Sequence, residues 1–81
     1  NDYRDRNTVV ALLSLGLDAQ ASALLDSLPP SSVVEYLRAV ACSRLGRKAE
    51  GREHFLRACE LDSRMQFRGN LDPEITELLK E

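Results

Sequence analysis

Two glycines set the limits on what this chain can fold into. Gly16 closes the apolar run "TVVALLSL" (residues 8–15), and thirty positions later Gly46 closes a second segment with apolar residues at helical spacing. Glycine enters the left-handed conformation without steric cost, so each is a natural stop for a helix. Superposing Gly16 on Gly46 lays Val10, Ala11, Leu15 and Ala19 on identical residues at 40, 41, 45 and 49. The same shift lays Val9, Leu12, Leu25 and Leu28 on Ala39, Cys42, Phe55 and Ala58, apolar on apolar. The pattern is that of a helix-turn-helix unit used twice, the alternative being coincidence in a chain rich in Ala and Leu.

The remaining punctuation completes an all-α reading. After Gly16, Asp18 is expected to cap a helix whose Ala21, Leu24, Leu25 and Leu28 share one face, and Pro29-Pro30 ends it because neither proline can donate a hydrogen bond. Ser32 followed by Glu35 has the spacing of a capping box and opens a third helix, carrying Val33, Val34, Leu37, Val40, Ala41 and Leu45. A fourth, from about 48 to 61, turns Phe55, Ala58, Cys59 and Leu61 inward and Glu50, Arg52, Glu53 and Arg57 outward. Residues 63–71 read as an irregular connector with a Gly69-Asn70 turn, Met65 and Phe67 folding back over the fourth helix. Asp72 then caps a fifth helix with Pro73 at its first position and Ile75, Leu78 and Leu79 along one side. No segment alternates with the period of a strand. The expectation is one all-α domain over residues 1–81: about five helices, two antiparallel hairpins stacked as a short superhelix, and a capping helix over 72–81.

Composition narrows the function classes. A chain of 81 residues is near the size at which a single core only just suffices, and a deep enclosed active site is not expected. Eleven basic against 13 acidic residues, a net charge of −2, create no field that commits the chain to nucleic acid or an anionic membrane. Arg38, Arg44, Arg47, Lys48, Arg52 and Arg57 do cluster, but Glu50 and Glu53 interrupt them and no aromatic is interleaved for base stacking, so nucleic acid is not an expected partner. No apolar run is long enough to span a membrane, and no basic-then-apolar leader is visible. Because the chain opens on Asn1, it is read as an excised domain or mature fragment of a longer protein.

Cys42 and Cys59 lack zinc-ligand spacing, and on facing helices they fall about 10 Å apart along the axis, so two small buried thiols are expected rather than a disulfide. The single histidine, His54, has Glu50 four residues before it, the geometry of an exposed side-chain pair rather than of a base held beside a nucleophile. With no Gly-rich phosphate loop and no metal motif, no catalytic residue, metal or cofactor is expected.

The stretch "YLRAVACSRLGRKAEGREHFLRACELD" resembles a tetratricopeptide repeat, a helical hairpin of about 34 residues. The resemblance rests on Ala39 in the first helix, Gly46 at the turn, Gly51 early in the second helix, Phe55 one turn on, Ala58 near its end and the closing "ELD". Small residues at these positions let two helices approach closely. The match covers 32–62 well and 8–28 weakly: the copies are 30 apart, Glu35 and Arg38 stand where an aromatic and a leucine are common, and Ser63 replaces a frequent proline. The tail reads as the cap that ends such a stack.

The resemblance implies a non-catalytic scaffold that binds a peptide or partner protein along a groove lined by the first helix of each hairpin. Carried over, that surface comprises Val33, Tyr36, Val40, Ser43 and Arg44, with Arg6, Val10, Leu13 and Ser14 from the weaker copy. Tyr36 and Arg44 are the expected anchors, since aromatic and guanidinium groups most often carry interface energy. Packing beneath the N-terminal segment or the cap accounts equally well for Val10, Leu13, Val33 and Val40. The resemblance does not extend to the family's clamp for a peptide carboxylate, for which only Arg44 and Arg6 are of suitable type. An alternative comes from "FRGNLDPEI", which resembles the ends of some larger bacterial cell-envelope proteins. It implies a structural cap or self-association domain in the periplasm or at the cell surface, the cytoplasm being the other compartment considered.

Overall fold

The computed structural model describes residues 2–80 and contains six helices in chain order. They are α1 (Asp2–Ser14), α2 (Asp18–Asp26), α3 (Ser32–Arg44), α4 (Lys48–Leu61), α5 (Arg64–Asn70) and α6 (Pro73–Leu79). No strand occurs among the described residues, so the chain is all-α. The sixth helix is α5, which occupies the expected irregular connector, and α1 begins six residues earlier than its apolar run. The first turns of α1 are polar and carry no hydrophobic period to reveal them.

The two glycine turns share one bonding scheme. Gly16 (φ 75°) donates its N–H to Leu13 O at 3.1 Å and Leu17 donates to Leu12 O at 2.9 Å. Gly46 (φ 80°) donates to Ser43 O at 3.2 Å and Arg47 donates to Cys42 O at 2.8 Å. These nested bonds to carbonyls three and five residues back are a Schellman ending, which satisfies the orphan carbonyls of a helix and needs a left-handed residue at its centre.

The other helix ends are set by different chemistry. The cap of α3 is Ser31 rather than Ser32: in extended conformation its hydroxyl accepts from Val34 N at 3.1 Å. The helix thus starts one residue earlier than the Ser32–Glu35 spacing suggested, and Glu35 turns inward instead of closing a capping box. Asp18 is the first residue of α2 and not its cap, since the capping position falls to Leu17, the last residue of the preceding turn. Asp72 caps α6 as expected, accepting from Glu74 N at 3.0 Å with Pro73 following.

The core is built around α3, which packs against α1, α2, α4 and α6 and buries eight of its 13 residues. Gly51 of α4 lies against α3: a Cβ there would stand 3.2 Å from Ala39 O and from a Leu78 methyl. Phe55, Leu25, Ile75, Leu78 and Val9 are the largest fully buried side chains, drawn from four helices besides α3. Met65 is buried against this cluster, but Phe67 is 70% exposed, so only one of the two apolar residues of 63–71 folds back. Gly69 is not a turn residue. It sits inside α5 without positive φ, beneath the ring of Phe55. Two residues of α4 also depart from expectation: Leu61, its last residue, is exposed instead of turned inward, and the Arg52 side chain caps the end of α6, donating to Leu78 O and Lys80 O, both at 2.9 Å.

Candidate functional site

An open cleft of about 560 Å³ runs between α1 and α3, with the segment from α5 into α6 as its far wall. Helical spacing places Val10, Leu13 and Ser14 on one side of α1, and Tyr36, Leu37, Val40 and Arg44 on one side of α3. The far wall is Arg68, Asp72, Pro73 and Glu74. Leu13, Leu37 and Val40 form a floor that is nearly covered, whereas Val10 remains 49% exposed at the rim.

Tyr36 lies deep in this cleft, only 3% exposed, its ring edge-on to Phe55 with centroids 6.0 Å apart. Its hydroxyl donates to Asp72 Oδ2 at 2.6 Å, and the Arg68 guanidinium rests over the ring, 4.8 Å from the centroid. Burial in the first place, then the bond to Asp72, pushes the phenol far above its ordinary pKa. Arg44 is clamped rather than free. Nε and Nη2 donate to Glu74 Oε1 at 3.1 and 2.8 Å, and Nη1 donates to Leu13 O at 2.6 Å and Asp18 Oδ1 at 3.2 Å. The bond to Glu74 holds its guanidinium above the usual value. Both expected anchors are therefore bonded to the wall at the start of α6, Tyr36 through Asp72 and Arg44 through Glu74, and Arg44 also reaches back to Leu13 and Asp18.

Val10, Leu13, Ser14, Tyr36, Val40 and Arg44 converge on the cleft. Val33 and Ser43 are half-buried and lie outside its lining, Val33 packing against the core. Arg6 lines a separate, smaller cavity of about 180 Å³ formed with Leu28, Pro29, Pro30, Ser31 and Val34. Sequence reasoning missed Leu37 and the whole tail wall. The recognisable cap at Asp72 marked where α6 begins, but nothing in the sequence marked what it would touch.

A second polar cluster lies where α2, α3 and α4 meet. His54 is not an exposed partner of Glu50: its Nδ1 is 2.6 Å from Oε2 of Glu35, which is 3% exposed. Arg38 Nη1 stands 3.5 Å from Glu35 Oε1, and Nη2 donates to Leu25 O at 2.9 Å. An inward carboxylate one turn into α3 needs such partners, since an unpaired buried charge is expensive. A carboxylate on Nδ1 is how a catalytic base is oriented, yet no hydroxyl or thiol is hydrogen-bonded to the other ring nitrogen among the described residues. The cluster ties helices together.

Cys42 is buried and Cys59 half-buried, both unpaired, and burial raises both thiols. Among the described residues no group of His, Cys, Asp and Glu could hold a metal ion. No helix among these residues is long and apolar enough to cross a membrane. Fold and cleft together define an all-helical domain with an open, partly apolar cleft. Comparison with protein-family models, with curated proteins and with solved structures found no match to this chain.

Proposed function

We propose that the chain is a non-catalytic protein-interaction module of the tetratricopeptide-like kind. In this reading α1–α2 and α3–α4 are two antiparallel hairpins stacked side by side, α5 and α6 cap the stack, and the cleft takes a peptide segment or a partner's helix. Support comes from the matching Schellman turns thirty residues apart and from Gly51 and Ala39 at the α3–α4 approach. The observation that carries the reading is the cleft itself: one face of α1 and one face of α3, equivalent helices of the two units, form its floor, with Val10 left half in water.

The test uses residues the fold does not need. Tyr36 and Arg44 hold α6 in place, so their loss would confound binding with folding. A photo-crosslinking amino acid is placed instead at Val10, and separately at the exposed Glu53 of α4, in cells that make the protein. Discrete adducts to another polypeptide from position 10 and not from 53 support the groove. Equal adducts from both positions, or none from position 10, refute it.

A further inference from the structure

We infer that the occupant of the cleft is an acidic amphipathic peptide segment, its apolar side chains laid over Val10, Leu13 and Val40 and a carboxylate received by Arg68. The inference rests on the cleft being a binding groove and adds the chemistry of what it binds.

Most of the charges in the cleft already have partners. Asp72 uses Oδ2 for the Tyr36 hydroxyl and Oδ1 for the N–H of Glu74. Glu74 gives both oxygens to Arg44, whose remaining nitrogen is taken by Leu13 O and Asp18. A basic segment would meet carboxylates that already face Arg44 and the Tyr36 hydroxyl, so it would share Glu74 with Arg44 instead of finding an unpartnered anion. Arg68 is different. It is exposed, stacks on the Tyr36 ring, and its side chain makes no hydrogen bond or ion pair among the described residues. Stacking leaves the edge of a guanidinium open, and that edge matches a carboxylate with two parallel N–H donors.

Arg68 overlies the same ring that the apolar floor adjoins. One unspent cation beside an apolar trough complements a segment with an apolar face and a carboxylate at its border. A polyanion such as nucleic acid would find one free guanidinium and little else to neutralise its phosphates.

The experiment selects from a displayed library of random peptides on the immobilised full chain, then re-screens the enriched peptides on Arg68→Gln, Arg68→Glu and Val10→Gln. All three replace exposed side chains, and circular dichroism checks that each variant is folded. Expected are peptides pairing Asp or Glu with Leu, Ile or Val, bound about tenfold more weakly by Arg68→Gln, as for loss of one charge-assisted bond. They should also weaken on Val10→Gln, while fresh selection on Arg68→Glu should favour basic peptides. Enriched peptides that depend on Val10 but carry no acidic residue, or are indifferent to position 68, overturn the acidic assignment and leave the groove standing. Enriched peptides indifferent to Val10, or no enrichment at all, overturn both.

Discussion

Replacing Gly69 by alanine tests whether the last third of the chain is packed as tightly as described. A Cβ at position 69 would stand 2.5 Å from Cζ and 2.6 Å from Cε1 of Phe55, and 3.1 Å from Cγ2 of Ile75. Normal carbon contacts lie near 3.5–4.0 Å, so the ring must recede by about 1 Å although it is also packed edge-on with Tyr36. Overpacking of this kind costs roughly 1–3 kcal/mol. Alanine's better helix propensity returns at most about 1 kcal/mol, and less at the penultimate residue of a seven-residue helix. The net loss of about 1–2 kcal/mol lowers the melting temperature by roughly 5–15 °C for a domain of this size. Urea and thermal unfolding followed by circular dichroism at the helix band measure it.

Phe55→Leu supplies the internal control by removing the ring atoms that clash. It loses core volume on its own, but combined with Gly69→Ala the new methyl enters the vacated space, so the double variant loses less than the sum of the singles by more than about 0.5 kcal/mol. A Gly69→Ala protein as stable as the parent, or strictly additive costs, would show that α5 does not press on Phe55 as described. Gly51→Ala makes the contrast, because its contacts are no closer than 3.2 Å and alanine's helix propensity offsets them at this fourth residue of a 14-residue helix. Its change should stay within about 1 kcal/mol of zero.

Three further outcomes are expected. Because the raised phenol of Tyr36 keeps its proton in the folded state while an unfolded tyrosine loses it near pH 10, stability should be unaffected by this group below that pH and fall above it. In a Tyr3→Phe background, absorbance of the phenolate should therefore rise only as the protein unfolds, and Tyr36→Phe should flatten the alkaline decline in melting temperature. His54→Ala, which leaves the inward Glu35 with Arg38 as its one remaining partner, should cost about 1–3 kcal/mol in urea unfolding, whereas His54→Leu combined with Glu35→Leu should cost less than either change alone. In thiol-labelling kinetics at neutral pH, Cys59 should react first and Cys42 only at the rate of unfolding, since burial raises both thiols and Cys42 is the more enclosed.

Local chemistry was readable wherever a residue acts on its own backbone. Gly16, Gly46, Pro29-Pro30 and Asp72 all punctuate the chain as their conformational preferences require. What escaped were residues whose role depends on a partner distant in sequence. Gly69 next to Asn70 looks like a turn, but it leaves room for the ring of Phe55, fourteen positions earlier. His54 looks paired with Glu50 along one helix until α3 brings Glu35 against it. Arg52 has the appearance of a solvated charge because its acceptors, Leu78 O and Lys80 O, are backbone carbonyls without any sequence signature. The cleft was half legible for the same reason: helical spacing grouped Val10 with Leu13 and Tyr36 with Val40, but the opposing wall required knowing where α6 docks.

The return of α6 to α3 has a consequence for how the molecule comes apart. In an open array of repeats each unit touches only its neighbours, and the ends fray independently of the middle. Here Tyr36–Asp72 and Arg44–Glu74 span 36 and 30 residues, and α3 is gripped from four sides. Opening the tail must uncover α3, and opening α3 must release everything else. Amide exchange should therefore report one cooperative unit rather than a gradient along the chain, with α3 protected to the limit of global unfolding and the polar start of α1 exchanging first.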